Sequence, residues 1–155
     1  MTTQVNVLLN KKRYFYNKYS EEKVSDELIN YIYNETVGSN FKNKIKINIK
    51  CNFEVNTDEL EKMIEMIRKN FKMKVQEELY TYEKEQDKEC ILLALGIALL
   101  ILYYTNFTSI LKDVMLIVGW ISVCSSTYKL IFSSTKSYVD INRLKNLSKA
   151  RIYFE

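Results

Sequence analysis

The sequence predicts an α+β membrane protein: a small cytoplasmic β-α-β-α sheet domain, completed by a C-terminal strand, with a two-helix transmembrane hairpin inserted. Two long apolar runs separated by a short polar break predict the hairpin. Strand-like alternation of apolar and polar residues at three places, one of them at the C-terminus, predicts the sheet.

The predicted hairpin covers residues 90–132. Cys90–Tyr104 contains fifteen residues without a charge, Thr105–Ser109 is polar, and Ile110–Phe132 is the second apolar run. A helix needs about twenty mostly apolar residues to cross roughly 30 Å of hydrocarbon. The first run therefore reaches that length only if its helix continues into the polar break. The alternative is a buried helical hairpin of a soluble domain, but two adjacent runs that are apolar all round favour the membrane.

The hairpin divides the predicted chain into three parts. Residues 1–89 are expected to form a cytoplasmic α/β domain with a long helix, residues 90–132 the hairpin, and residues 133–155 a cytoplasmic helix and strand. Only Lys112 is basic in the short loop, whereas six basic residues flank the hairpin outside it: Lys84, Lys88, Lys136, Arg143, Lys145 and Lys149. This asymmetry predicts a multi-pass membrane protein with both termini in the cytoplasm.

Local patterns predict the first three elements. Gln4–Asn10 alternates as a half-buried strand does. A helix follows, because Ser20 or Ser25 can cap it and apolar residues recur at every fourth position as far as Gly38, a typical stop. Lys44–Phe53 alternates apolar residues with lysines and asparagines and is the clearest strand in the chain.

The second helix is predicted to be long. It begins at Asn56 or Thr57 and meets no glycine or proline before Gly96, so it is expected to continue into the first span. After the hairpin, an amphipathic helix leads to Arg151–Glu155, which alternates as a strand does. Because a strand this short is stable only within an existing sheet, we expect it to pair with the N-terminal strands.

Composition excludes several kinds of chemistry. The chain has no histidine, so Ser-His-Asp catalysis, Cys-His catalysis and histidine-ligated metal sites are excluded. Its three glycines cannot form a phosphate-binding Walker loop or a dinucleotide fingerprint. Cys51, Cys90 and Cys124 lack metal-ligand spacing. The sequence therefore predicts a protein that is not an enzyme and that uses no metal ion or other cofactor.

Two basic segments are candidates for ligand binding. The first combines cations with aromatic rings, and in the second, lysines occupy the polar face of the clearest strand: Lys11, Lys12, Arg13, Tyr14, Tyr16, Lys44, Lys46 and Lys50. Cations hold phosphate and rings stack on bases. The two segments are expected to be neighbours if a right-handed crossover joins adjacent parallel strands. The surface suits an anionic ligand such as a nucleotide, lipid headgroups or a second copy, and lysines also protect sheets from aggregation.

The second apolar run carries a polar stripe at Ser122, Ser126 and Lys129, whose spacing of four and three places them on one helical face. Hydroxyl groups in a membrane helix commonly bond to the backbone or to a neighbouring helix. Alternatively, several copies of the chain line a water-filled opening with this stripe. Lys129 can also extend to the headgroups, as lysines near helix ends do.

The order of segments also resembles a known layout. The segments that carry the resemblance are VSDELI (Val24–Ile29), IKINIKCNF (Ile45–Phe53), LIVGWISVCSSTYKLIF (Leu116–Phe132) and ARIYF (Ala150–Phe154). They look like those of small bacterial two-span membrane proteins, a layout similar to that of the two-transmembrane-beta effectors of antiphage systems that signal by cyclic nucleotides. The resemblance covers nearly the whole chain in order of elements, without a catalytic motif.

The resemblance implies a membrane effector that senses a cyclic nucleotide and whose oligomers disturb the inner membrane. The expected partners are then the lipid bilayer, further copies of the chain and a cyclic nucleotide, but no nucleic acid polymer; the net charge of +4 agrees with an anionic partner. The competing hypothesis is a non-catalytic membrane anchor whose cytoplasmic domain binds a protein.

Overall fold

The computed structural model of the chain describes residues 2–104 and 109–155. These residues form two compact units. We call Met1–Glu77 with Val139–Glu155 the α/β unit, and Glu78–Tyr138 the helical unit. The predicted polar break at Thr105–Ser109 lies outside the described residues except for Ser109.

Five strands and three α-helices make up the described chain. In chain order they are β1 (Thr2–Leu9), β2 (Tyr16–Asn17), β3 (Ser20–Val24), α1 (Asp26–Val37), β4 (Lys44–Cys51), α2 (Thr57–Tyr103), α3 (Ser109–Ser148) and β5 (Arg151–Phe154). The strands and helices predicted before residue 60 are confirmed at β1, α1, β4 and the start of α2. The β2–β3 hairpin was not predicted, because its strands are too short to show alternation.

A parallel three-stranded sheet, in the order β1-β4-β5, organises the α/β unit. The predicted pairing of the C-terminal strand with the sheet is present, and its partner is the central strand β4. Val5 lies beside Ile47, and Ile47 beside Ile152, so the apolar positions of all three strands share one face. The polar positions share the other face, as period-two alternation requires.

The core of the α/β unit contains the apolar face of the sheet and one apolar stripe from each helix. The buried helical residues include Leu28, Ile29 and Ile32 of α1, Met63, Ile67 and Phe71 of α2, and Ile141, Leu144 and Leu147 of α3. Their spacing of three and four is that of a helix with one buried face. The polar face of the sheet stays open, so this unit has two layers.

The predicted fold class, with its two-helix transmembrane hairpin, is wrong. The chain is mostly helical, and α2 is one helix of 47 residues. Its apolar run ends with the helix at Tyr103. From Cys90 that run rises about 21 Å at about 1.5 Å per residue, less than the roughly 30 Å of hydrocarbon.

One helix among the described residues is long and apolar enough to cross a membrane. It is α3, over Leu111–Ser148, where the mean hydropathy reaches 1.6. This assignment rests on length and composition. Only 11% of the apolar window is buried within the chain, whereas the core helix of a soluble protein is mostly buried.

Within the helical unit, α2 and α3 approach closely at two glycines. A Cβ atom added to Gly96 would lie 2.9 Å from the Cβ of Ser122 and 3.1 Å from the carbonyl oxygen of Gly119. A Cβ atom added to Gly119 would lie 3.1 Å from the carbonyl oxygen of Gly96. Small residues therefore allow the two backbones to pack against each other, as in other paired apolar helices.

This contact predicts the effect of enlarging Gly96. Because the backbone of Gly119 cannot move away as a flexible side chain can, Gly96→Val is expected to lower the free energy of unfolding of the detergent-solubilised chain by about 2 kcal/mol. Thermal unfolding followed by circular dichroism measures the change. Gly38→Val is the matched control, since a Cβ atom at Gly38 meets nothing within 4 Å. Equal losses for both variants would contradict the close approach.

Candidate functional site

A cleft of about 450 Å³ opens at the edge of the sheet where the strands begin. Its lining comes from the starts of β1, β4 and β5, from the segment before β4 and from the end of α3: Thr2, Lys42, Asn43, Lys44, Ile45, Lys46, Asn146, Lys149 and Arg151. All of these residues belong to the α/β unit. Parallel strands place their amino-terminal ends at the same edge, so residues distant in sequence meet here.

The strand register sets the positions of the cations on the sheet. Lys44 lies beside Thr2 of β1, and Lys46 lies beside Arg151 of β5. Lys46 and Arg151 thus occupy neighbouring strands, which are about 4.8 Å apart. Lys44 and Lys46 alternate with buried Ile45 and point to the same open face, roughly 6.6 Å apart along the strand.

Side-chain hydrogen bonds hold the remaining walls of the cleft. The Nδ2 atom of Asn146, on α3, donates to the carbonyl oxygen of Phe41. The Nδ2 atom of Asn43 donates to Oγ1 of Thr3 over 3.3 Å. These two bonds attach the segment that carries Lys42 to α3 on one side and to β1 on the other. They therefore position Lys42 at the cleft.

The charge of the cleft is entirely positive. Among the described residues that line it, five are cations and none is a carboxylate: Lys42, Lys44, Lys46, Lys149 and Arg151. Within residues 2–104 and 109–155, none of these five cations forms an ion pair. The ion pairs there are formed by Lys12, Lys129 and Arg143. Unneutralised charges of one sign raise the local concentration of anions. The arrangement can therefore bind an anion.

The structure separates the predicted basic surface into two ends of the sheet. Lys44 and Lys46 line the cleft at the amino-terminal edge. Lys50 lies six residues farther along β4, roughly 20 Å from Lys44. At that far edge, Asn52 Nδ2 donates a hydrogen bond to Asn10 Oδ1 over 2.9 Å. The segment that begins at Lys11 therefore lies next to the end of β4 that carries Lys50.

Much of the segment from Lys11 to Tyr16 is engaged within the chain. Lys12 forms an ion pair with Glu59, near the start of α2, and the hydroxyl of Tyr16 donates to the same carboxylate over 3.2 Å. This pairing lowers the pKa of Glu59 and raises that of Lys12. The guanidinium of Arg13 lies 5.3 Å from the ring centroid of Tyr14, and its hydrogen bond and charge lower the pKa of Tyr14.

The polar stripe of α3 faces α2 within the helical unit. Ser122 lies against Gly96, and Lys129 Nζ forms an ion pair with Glu89 Oε1 over 2.8 Å. Ser126 is fully buried, and its Oγ atom has no hydrogen-bond partner in the described part of the chain. A role of the stripe in a water-filled opening stays a prediction.

Sequence reasoning predicted Lys44 and Lys46 as site residues but missed the other three cations that line the cleft, Lys42, Lys149 and Arg151. The predicted pairing of the C-terminal strand was the signal that could have indicated Arg151. Alternation alone does not determine which residue of one strand lies beside which residue of the next. The register Lys46–Arg151 therefore became visible only in the structure.

No group of three or more histidine, cysteine, aspartate or glutamate side chains that could hold a metal ion occurs in the described ranges, 2–104 and 109–155. The chain is therefore a helix-rich α/β protein with a basic cleft at one edge of its sheet and a helix apolar enough to cross a membrane. Comparison of the chain with protein-family models, curated proteins and solved structures finds no match.

Proposed function

We propose that this chain is a membrane-attached, non-catalytic effector whose α/β unit binds a nucleotide and whose helical unit acts on the lipid bilayer. The observation that carries the proposal is an unneutralised basic cleft in the same chain as a helix apolar enough to cross a membrane. Such an effector needs two properties: a cleft that binds an anion and a helix that inserts into the membrane.

Exposed apolar side chains support membrane attachment. Both helices of the helical unit present large apolar residues that the chain itself leaves uncovered: Ile91, Leu95, Ile101, Val114, Ile117, Trp120, Ile121 and Phe132. Large exposed apolar patches are rare on soluble monomers and mark sites that meet lipid or another protein. Lipid and further copies of the chain are the proposed occupants.

The proposed location is the cytoplasmic face of the bacterial inner membrane. Because β1 and β5 both pair with β4, the two ends of the chain lie in one unit, which we place at the cytoplasmic face. In the sequence, Lys84 and Lys88 precede the first apolar run, and Lys136 follows the second. An excess of lysine and arginine is typical of cytoplasmic flanks.

The proposed effector acts by changing state. A ligand shifts a two-state equilibrium only by its difference in affinity for the two states. In this proposal the nucleotide binds the cleft better in one state, and copies assembled in the membrane then disturb the bilayer. In keeping with the resemblance to antiphage effectors, we propose that this event occurs in an infected cell and stops its growth.

Expression of the full chain in bacteria tests this proposal. We expect it to sediment with membranes after an alkaline carbonate wash and to reduce colony counts by about tenfold or more, since assembled apolar helices disturb a bilayer. Lys129→Ala, which leaves Glu89 without its partner, is expected to change the toxicity. A chain that is harmless and stays in the soluble fraction would contradict the proposal.

A membrane anchor that binds a protein is the second candidate function. The observation in its favour is the open face of the sheet, where Leu8 and Tyr153 are exposed beside Lys50 and Asn48. Exposed apolar and aromatic residues among polar ones are typical of protein interfaces. A stable complex with a soluble protein, together with no affinity for nucleotides, would favour the anchor.

A further inference from the structure

We infer that the cleft at the amino-terminal edge of the sheet binds a diphosphate or triphosphate group in preference to a single phosphodiester. The inference rests on the proposed function, which makes the α/β unit a sensor of nucleotides, and it names the part of the ligand that is recognised. It concerns Lys42, Lys44, Lys46, Lys149 and Arg151, with no carboxylate among the lining residues that the structure describes.

Charge is the first reason. A phosphodiester carries a single negative charge, whereas each terminal phosphate group carries about 1.5 to 2 near neutral pH. Five cations in one cleft repel one another until a ligand neutralises several of them together. A chain of two or three phosphate groups does this, and a cyclic mononucleotide leaves most of the repulsion in place.

The arrangement of the cations is the second reason. Lys44, Lys46 and Arg151 form a patch on two adjacent strands, with spacings of about 5 to 7 Å. Lys42 and Lys149 add charge from outside the sheet, one before β4 and one after α3. An extended phosphate chain can contact cations on both sides at once, with the Arg151 guanidinium as a bidentate donor.

The absence of rings is the third reason. No aromatic side chain is among the described residues that line the cleft. Base recognition by stacking needs such a ring. The amides of Asn43 and Asn146 already donate hydrogen bonds within the chain, to Thr3 and Phe41. Recognition in the cleft therefore depends on the phosphate chain, and the identity of the base is expected to matter little.

The end of α3 opposes this charge only weakly. Lys149 and Asn146 lie at the carboxyl end of the helix, which carries a partial negative charge of about half a unit. Five full positive charges outweigh it. The cleft thus remains positive overall.

Calorimetric titration of the detergent-solubilised full-length chain at low salt tests the inference. The probes are inorganic pyrophosphate, inorganic triphosphate, a cyclic mononucleotide and, separately, vesicles that contain an anionic phospholipid. Pyrophosphate and triphosphate are expected to bind at least about tenfold tighter than the cyclic mononucleotide, because more cations are neutralised.

Charge-reversed variants locate the binding. Arg151→Glu and Lys149→Glu are each expected to weaken pyrophosphate binding by about tenfold or more. Lys149 lies outside the sheet, so its variant remains informative if the change in β5 prevents folding. Lys50→Glu, with the same change of charge at the other end of β4, is the matched control and is expected to change the affinity by less than about twofold.

The outcomes separate this inference from the proposed function. Equal or tighter binding of the cyclic mononucleotide overturns the inference and leaves the nucleotide sensor standing. Binding to anionic vesicles that pyrophosphate does not displace assigns the cleft to a lipid headgroup and also overturns it. If no phosphate compound binds, the inference and the sensing role are both wrong.

Discussion

Replacement of Asp140 by alanine is expected to lower the free energy of unfolding by about 3 kcal/mol. Its carboxylate accepts hydrogen bonds from Arg143 over 3.1 Å and from the Tyr33 hydroxyl over 2.9 Å. The Arg143 side chain is only 8% exposed, so without Asp140 a buried guanidinium loses its counter-ion. Burial, and then the bond to Asp140, raise the pKa of Tyr33, so the hydroxyl keeps the proton that it donates.

Thermal unfolding of the detergent-solubilised chain measures this loss, as a fall in Tm of about 10 °C. Asp87→Ala is the control, because Asp87 is exposed and changes at such positions have small effects. Addition of Arg143→Leu to Asp140→Ala is expected to restore part of the stability, since no unpaired charge is then buried. If Asp140→Ala lowers Tm no more than Asp87→Ala does, the buried pair of Asp140 and Arg143 does not stabilise this part of the core.

The pair matters for the cleft as well as for stability. Arg143 Nη2 also donates to the carbonyl oxygen of Val37 over 3.2 Å, which joins the end of α1 to α3. One turn farther along α3 lies Asn146, which holds the segment before β4, and Lys149 follows the helix. The position of two cleft elements therefore depends on this network.

Local periodicity explains what the sequence could predict. Alternation over Lys44–Phe53 and the spacing of apolar residues before Gly38 are properties of short segments, and they correctly indicated β4 and α1. The strand at the C-terminus followed from a physical requirement, since four residues cannot form a stable strand alone. Which residues of β4 it would meet was not predictable, and so the cleft was missed.

The prediction of a transmembrane hairpin was wrong for a related reason. The first apolar run was at the limit of the spanning length, so its interpretation depended on where the helix ends. Hydropathy reports which residues are apolar but not where a helix stops, and α2 ends at Tyr103. Similarly, helical spacing placed Ser122, Ser126 and Lys129 on one face, but only the structure identifies α2 as the neighbour of that face.

Charge reversal in the cleft is expected to abolish any effect of a phosphate ligand on the membrane. Lys46 and Arg151 lie side by side on β4 and β5, so Lys46→Glu with Arg151→Glu removes two adjacent cations and adds two anions. The double variant should no longer bind the ligand, and a ligand that does not bind shifts no equilibrium. Lys50→Glu keeps the cleft intact and should behave as the unaltered chain does.

The central claim is that ligand binding in the cleft controls an action on the bilayer. The most direct test is to measure the release of a dye from vesicles that contain the full-length chain. With saturating inorganic pyrophosphate, the release rate is expected to differ by about tenfold or more from the rate without it. The double variant is expected to show the same rate in both conditions. If the unaltered chain binds pyrophosphate and its release rate stays the same, the cleft does not control the membrane and the account is contradicted.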